Sequence, residues 1–272
     1  MMRLLIKFFL LTYTVSWTCF IPVAVLSHNV QTGSPKLFGF QQTLLFLGTI
    51  TPSLVALWIA ARSGISRETE KLLKKVGKWQ VNIGWYVFAA GYIAIIKLIV
   101  ALIYRVITGA WPQFGHEAWY IMIIAIIFST WVQAGEEIGW RGFALPHMSE
   151  RFGLPLSTLL LGVLWACWHL PLFFVQGADK YGQSFPLFLI QVTLLSVAMG
   201  WLYWRTKGSL LLTMLMHAAV NNTKDIVPSS VPGANNPFAL SNSPVALLTV
   251  ALLGICAVLF FFQMRTVKTI AT

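Results

Sequence analysis

Charge is scarce in this chain of 272 residues: Asp, Glu, Lys and Arg make up only 10% of it, against about 25% in soluble domains. With 57% apolar residues and a mean hydropathy of +0.75, it has too little polar surface to cover a soluble core. The same figures exclude intrinsic disorder, which requires low hydrophobicity and high charge. Cysteine is scarce too. Cys19, Cys167 and Cys256 are an odd count, lie inside apolar runs and form no CxxC, so neither a disulfide framework nor a thiolate metal site is indicated. Aspartate occurs only as Asp179 and Asp225, both in segments read as external loops, which leaves no intramembrane aspartyl dyad. There is no GxSxG elbow, no HExxH zinc helix, no internal repeat and no low-complexity tract. Ser63-Gly64 lies in a basic loop, so a serine–histidine pair inside a membrane has no support.

What the chain does contain is long apolar runs. A bilayer core of about 30 Å needs roughly 20 apolar residues per helix, and eight runs qualify as candidates: 4–26, 41–61, 85–106, 119–140, 156–175, 185–204, 209–221 and 245–263. The seventh is short. Their continuous hydrophobicity excludes lipid-facing strands, which alternate. The first run is read as a span, because its apolar stretch is long and no small-residue cleavage site follows it. The expectation is an all-α polytopic membrane protein, one transmembrane domain over residues 1–272.

The net charge of +11 comes from 19 Lys and Arg against 8 Asp and Glu. A basic nucleic-acid patch would sit on a soluble fold; here the cations sit between spans and set topology. Arg3, Lys7, Arg62, Arg67, Lys71, Lys74, Lys75, Lys78, Arg141, Arg151, Arg205, Lys207, Arg265 and Lys268 fall on one set of alternate segments. Only Lys36, Arg105, Lys180 and Lys224 fall on the other. Fourteen against four predicts that both termini are cytoplasmic. The stretch from Arg62 to Lys78 reads as a topogenic basic loop in preference to an amphipathic helix on anionic lipid, and Val227 to Pro244 reads as an external loop. Lys97 falls inside a span, where it must snorkel or find a polar partner.

Ionisable groups at membrane depth are costly and usually functional. Glu136 and Glu137 are adjacent in WVQAGEEIGWRGF, and His169 and His217 lie within apolar runs. Residues four apart share a helix face: Glu137 reaches Arg141, Trp165 sits against His169, and His217 points with Asn221. Glu136 lies about 100° round from Glu137 and faces a different partner. The hairpin turn near Arg151 to Gly153 places Glu136 and His169 at similar heights, roughly 20–25 Å from it, with Pro146 a candidate kink. Each feature also has a plain structural reading. A lone histidine can bond a backbone carbonyl, and Glu137–Arg141 can be a structural ion pair. Two adjacent glutamates are harder to dismiss: Arg141 can neutralise one, and the other, a carboxylate desolvated beside a like charge and near a histidine, is in the usual setting of a general base.

At these residues the chain resembles the CPBP family of intramembrane proteases, also called the CAAX prenyl protease 2 or Abi family. EExxxR occurs as Glu136-Glu137-Ile-Gly-Trp-Arg141, (F/W)xxxH as Trp165-Ala-Cys-Trp-His169, and HxxxN as His217-Ala-Ala-Val-Asn221. The resemblance covers residues 131–223, the catalytic core; the N-terminal half matches only in hydrophobicity. Trp165 replaces the commoner Phe. The resemblance implies a helical membrane fold with its site in a cavity open toward the cytoplasm. It implies that Glu136 activates water, that His169 helps hold it, and that His217 and Asn221 stabilise the oxyanion, with Glu137, Arg141 and Trp165 in support. Glu136, His169 and His217 would also be the ligands of a zinc ion, if a metal takes part; zinc and a metal-independent glutamate mechanism both stay open. The implied partners are membrane lipids and a membrane-associated peptide or protein substrate, CAAX-type or other, in a prokaryotic plasma membrane, with no nucleic acid. Two other functions compete: a non-proteolytic bacteriocin-immunity or scaffold protein, and a proton-coupled transporter using the intramembrane Glu, His and Lys97.

Overall fold

In lipid every backbone polar group must be satisfied within the protein, which drives apolar runs into helices. The computed structural model bears this out: it describes residues 2–29, 35–63, 67–223, 226–228, 236–240 and 243–265, and their regular structure is helical throughout. Of the residues named above, Gly64, Lys224, Asp225 and Lys268 lie outside this set, as do 229–235 and 241–242 of the long loop.

The helices are α1 (Met2–Asn29), α2 (Pro35–Arg62), α3 (Glu68–Val76), α4 (Ile83–Thr108), α5 (Trp119–Val132), α6 (Ala134–Glu137), α7 (Leu145–Phe152), α8 (Leu154–Trp168), α9 (Phe185–Arg205), α10 (Leu210–Thr223) and α11 (Pro244–Met264). A π-helical stretch, Ile138–Ala144, joins α6 to α7, and a 3₁₀ turn, Leu170–Phe174, follows α8. Among the described residues, seven helical stretches are long and apolar enough to cross a membrane, one of them running from Trp119 to Phe152 through α5, α6, the π-helix and α7. The run at 209–221 departs from expectation. It forms α10, 14 residues long, hence only about 21 Å and too short to span. Residues 226–228 carry the chain further, tied down where Lys97 Nζ donates to the Val227 carbonyl (3.0 Å) and the Gly115 amide to that of Ile226 (3.5 Å). Val227 is fully buried; irregular backbone at this depth is tolerated when protein surrounds it. Lys97 thus has its polar partner.

Contacts between connections define two faces. On the first, Lys78 Nζ donates to the Lys207 carbonyl and Ser209 Oγ to that of Lys78, each at 2.7 Å. His147 Nε2 lies 3.5 Å from Glu68 Oε1. Lys7 and Arg62 both lie over the Trp58 ring. Trp201, one turn before Arg205, donates to Gln263 near the end of α11 (2.8 Å). The basic segments therefore share one face. On the opposite face His28 Nε2 donates to the Phe174 carbonyl (2.9 Å), the Gln176 amide to Ser27 Oγ (3.0 Å), and the Phe185 amide to the Pro237 carbonyl (2.7 Å).

The break between α7 and α8 falls at Gly153, whose φ of +73° only glycine adopts cheaply. The bend in the fourth crossing is the π-helix, with Pro146 in the first turn of α7. Such bulges change helix register and frequently occur at functional sites. Here α2 holds it from behind: a Cβ on Gly139 would stand 2.6 Å from the Pro52 carbonyl group, and Ser53 Oγ donates to the Ala134 carbonyl (2.6 Å).

Candidate active site

The adjacent glutamates go to different partners, as their 100° offset requires. Glu137 is fully buried, and its Oε1 accepts from Arg141 Nη1 (2.9 Å) and from His217 Nδ1 (3.0 Å). Arg141 is equally buried; its Nε and Nη2 have no hydrogen-bond partner, but its guanidinium lies 4.1 Å from the centre of the Trp165 ring. A cation over an indole face recovers part of the lost hydration. Glu136 instead accepts, through Oε2, from Trp165 Nε1 at 2.7 Å.

Trp165 is the hub. Its ring meets His217 edge-on at 5.1 Å and His169 at 5.7 Å between centroids. The Trp165 carbonyl accepts from His169 Nδ1 (2.7 Å). A carbonyl only accepts, so Nδ1 carries the proton and the His169 Nε2 keeps its lone pair. The plain structural reading of that histidine and an available ring nitrogen are therefore both true. From α1, Tyr13 OH donates to the Leu164 carbonyl and Trp17 Nε1 to the Trp168 carbonyl, fixing the end of α8 that carries Trp165 and His169.

Trp165, His169, His217 and Asn221 line one cavity of about 130 Å³. A single water needs about 10–15 Å³, so there is room for several. Glu136 is not among the lining residues; it reaches the cavity wall through the indole it bonds. The cavity runs away from the basic face. Its other lining includes Gln191 on α9 and Lys180 and Gln183 in the connection before α9, on the opposite face. Lys97 also lines it, while donating to Val227. Periodicity had flagged Lys97 only as misplaced, because the segment that meets it is 130 residues away in sequence.

The candidate zinc ligands do not form a binding trio: among the described residues no three His, Cys, Asp or Glu side chains gather closely enough to hold a metal ion. Glu136 gives Oε2 to an indole N–H, and both histidines are held through Nδ1, which leaves each Nε2 with no hydrogen bond to the described residues. The chemistry below is assigned to side chains.

Comparison with known proteins returns to the same residues. Residues 115–223 match a family model described as type II CAAX prenyl endopeptidase, Rce1-like. A curated CAAX prenyl protease 2 of Methanococcus maripaludis is 21% identical over 231 residues, which cover 81% of this chain and 83% of the relative. The matched segment contains all three motifs, and the resemblance to the CAAX prenyl protease 2 family is borne out.

Proposed function

We propose that this chain is an intramembrane endopeptidase that hydrolyses a peptide bond of a membrane-associated peptide or protein, in a prokaryotic plasma membrane with both termini cytoplasmic. The observation that carries the reading is the split of the adjacent glutamates: Glu137 is held by the Arg141 guanidinium and His217, both on Oε1, whereas Glu136 faces no cation in hydrogen-bond contact among the described residues and is held through Oε2 by Trp165, a residue of the cavity wall.

Hydrolysis then follows from these groups. His169 Nε2 accepts one proton of a water and orients it, and Glu136 Oε1 takes the other as the water oxygen bonds to the scissile carbonyl carbon. The carbonyl oxygen becomes an oxyanion, stabilised by the Asn221 amide and by His217 Nε2–H, the imidazolium being supported from behind by Glu137. Glu136 returns its proton to the amide nitrogen as the C–N bond breaks, releasing a carboxyl and an amino terminus. Prenyl-CAAX sequences are one substrate class within this reading.

The test is purified protein in detergent, wild type against Glu136→Gln, incubated with a library of membrane-segment peptides and read by mass spectrometry, with and without a chelator. Cleavage by wild type alone, indifferent to chelator, is expected. Equal cleavage by both proteins would remove Glu136 from the mechanism; loss with chelator would return a metal to it. A scaffold or immunity protein has no need of the buried Glu136–Trp165–Arg141–Glu137–His217 network, which makes those alternatives the weaker readings.

A further inference from the structure

The connection between α2 and α4 reads from sequence as a topogenic basic loop, but nine of its residues fold as α3. The two carboxylates of α3 are taken up at its first turns. Glu68 accepts from Ser63 Oγ (2.7 Å) and lies 3.5 Å from His147 Nε2, and Glu70 pairs with Arg67 (3.8 Å) and Lys74 (2.6 Å). The cations beyond them gather elsewhere. Lys78 Nζ donates to the Lys207 carbonyl, the Lys78 carbonyl accepts from Ser209 Oγ, and a Cβ on Gly208 would stand 3.8 Å from Lys75 Cε. Three lysines, Lys75, Lys78 and Lys207, thus meet at one turn, and among the described residues no carboxylate forms an ion pair with any of them. Burial, and then the neighbouring Lys71 and Lys78, lower the pKa of the Lys75 ammonium, against a weaker opposite pull from Glu68. Like charges held this close disfavour one another until an anion joins them. Lys207 also holds a φ of +53°, uncommon for a residue with a side chain.

The turn lies where two crossings end, Phe185–Arg205 and Ile83–Thr108. Aromatic rings mark its depth. Arg205 lies 5.4–5.7 Å from the ring centres of Trp85, Trp201 and Trp204, and Tyr86 OH donates to the Trp79 carbonyl (2.7 Å). Trp and Tyr concentrate at the level of lipid headgroups, and clusters of Lys and Arg beside a span attract anionic ones. Next to Lys78, Trp79 is 65% exposed, and Ile83 at the start of α4 is 73% exposed. Cations bordered by exposed apolar side chains suit a phosphate that carries acyl chains better than a free one.

We propose that Lys75, Lys78 and Lys207 bind the headgroup phosphate of an anionic phospholipid, with Trp79 and Ile83 against its acyl chains. This site stands on its own contacts and does not depend on the protease reading. Its position gives it a consequence. Leu72 of α3 and Leu210, which opens α10, both close on Gly142 of the π-helix, where a Cβ would stand 3.4 and 3.1 Å from them. Gly142 follows Arg141, and α10 carries His217 and Asn221. A phosphate that draws Lys75 and Lys78 onto Lys207 holds the end of α3 against the start of α10, so the bound lipid stabilises the packing around the candidate active site.

The test is native mass spectrometry of the full chain in detergent micelles holding equal amounts of dioleoylphosphatidylglycerol and dioleoylphosphatidylcholine, with thermal unfolding followed in each lipid separately. Wild type should retain one phosphatidylglycerol about tenfold in preference to phosphatidylcholine, and this lipid should raise its unfolding midpoint, as a ligand of the folded state does. Lys75→Gln, Lys78→Gln and Lys207→Gln combined should lose both effects. Arg67→Gln, Lys71→Gln and Lys74→Gln combined remove the same charge from the same segment and should keep both. Should the first combination not fold, Lys207→Gln, at an exposed side chain, should alone cut retention roughly fivefold. Equal retention of the two lipids by wild type would overturn the site. Equal losses in the two triple variants would also overturn it, reducing the effect to general attraction. Inorganic phosphate in millimolar excess should leave retention unchanged; displacement of the lipid by phosphate would assign the lysines to a free anion and overturn the lipid.

Discussion

Between the site and the basic face, the molecule is filled with fully buried side chains; between the site and the opposite face, a cavity runs along α9 and α11. The adjacent glutamates divide along the same line. Glu137 belongs to the packed half, where its Oε1 binds both a buried guanidinium and an imidazole. Glu136 belongs to the hollow half, bonded to a residue of the cavity wall. In the packed half polar groups act as structure, because an unpaired charge there is prohibitively expensive. In the hollow half the cavity has room for several waters beside Trp165, His169, His217 and Asn221, where polar groups can do chemistry.

Replacing each glutamate by its amide breaks the comparison most directly. Glu136→Gln should lower kcat by roughly 10²–10⁴-fold, the usual contribution of a general base, with unchanged thermal unfolding in detergent. Glu137→Gln should do the reverse in emphasis: removing one partner of a buried ion pair costs about 3–5 kcal/mol, visible as a lower midpoint of thermal aggregation and poor yield. Replacing the pair together, Glu137→Leu with Arg141→Met, should restore much of that stability, since apolar substitution of both partners is often neutral. Activity should not return, because His217 then lacks its support. A stable, fully active Glu137→Gln would erase the distinction between the halves.

Next in size is Gly139→Leu. Any Cβ at this position would meet the Pro52 backbone, and overpacking typically costs 1–3 kcal/mol. Its expected signature is reduced stability with a loss of kcat larger than the stability change explains, because the π-helix sets the register between Glu136 and Arg141. Stability and kcat falling in strict proportion would reduce Gly139 to a packing residue.

Much of this was legible in the chain beforehand. Apolar run length found every long helix because lipid leaves no alternative to helical backbone. Helical spacing paired Glu137 with Arg141 and separated Glu136 from it, since both facts are local geometry. Three things were not legible. The run at 209–221 forms a helix too short to span, and the buried irregular backbone at 226–228 cannot be distinguished from a loop by hydropathy. The π-helix leaves no periodicity of its own, and only Gly139, packed on a helix 80-odd residues earlier, hints at it. The direction of the cavity depends on how α9, α10 and α11 splay, and nothing in their sequences encodes that directly.

Trp165→Phe sharpens the comparison at the boundary between the halves. It removes the N–H donated to Glu136 and keeps an aromatic face for Arg141. A hydrogen bond to a charged group is worth about 1.5–3 kcal/mol. Because water can take over part of that role in the hollow half, the expected loss is near the lower end, roughly tenfold in kcat with KM unchanged. A rise in kcat would show that the indole holds the carboxylate back from water.

The smallest effect is expected at α3, which carries the packed half to its outer edge. Leu72 is 4% exposed and turns toward Gly142 and the site, whereas Lys74, two residues on, has a side chain 74% exposed and touches Glu70 at 2.6 Å. An exposed i,i+4 pair contributes only about 0.3–0.5 kcal/mol. Lys74→Ala should therefore leave the unfolding midpoint and the cleavage rate within error at moderate salt, while Leu72→Ala should cost about 2–5 kcal/mol by opening a cavity beneath the π-helix. If Lys74→Ala slowed cleavage severalfold instead, the basic face would be taking part in turnover, and the division between a structural and a reactive half would have to be redrawn through α3.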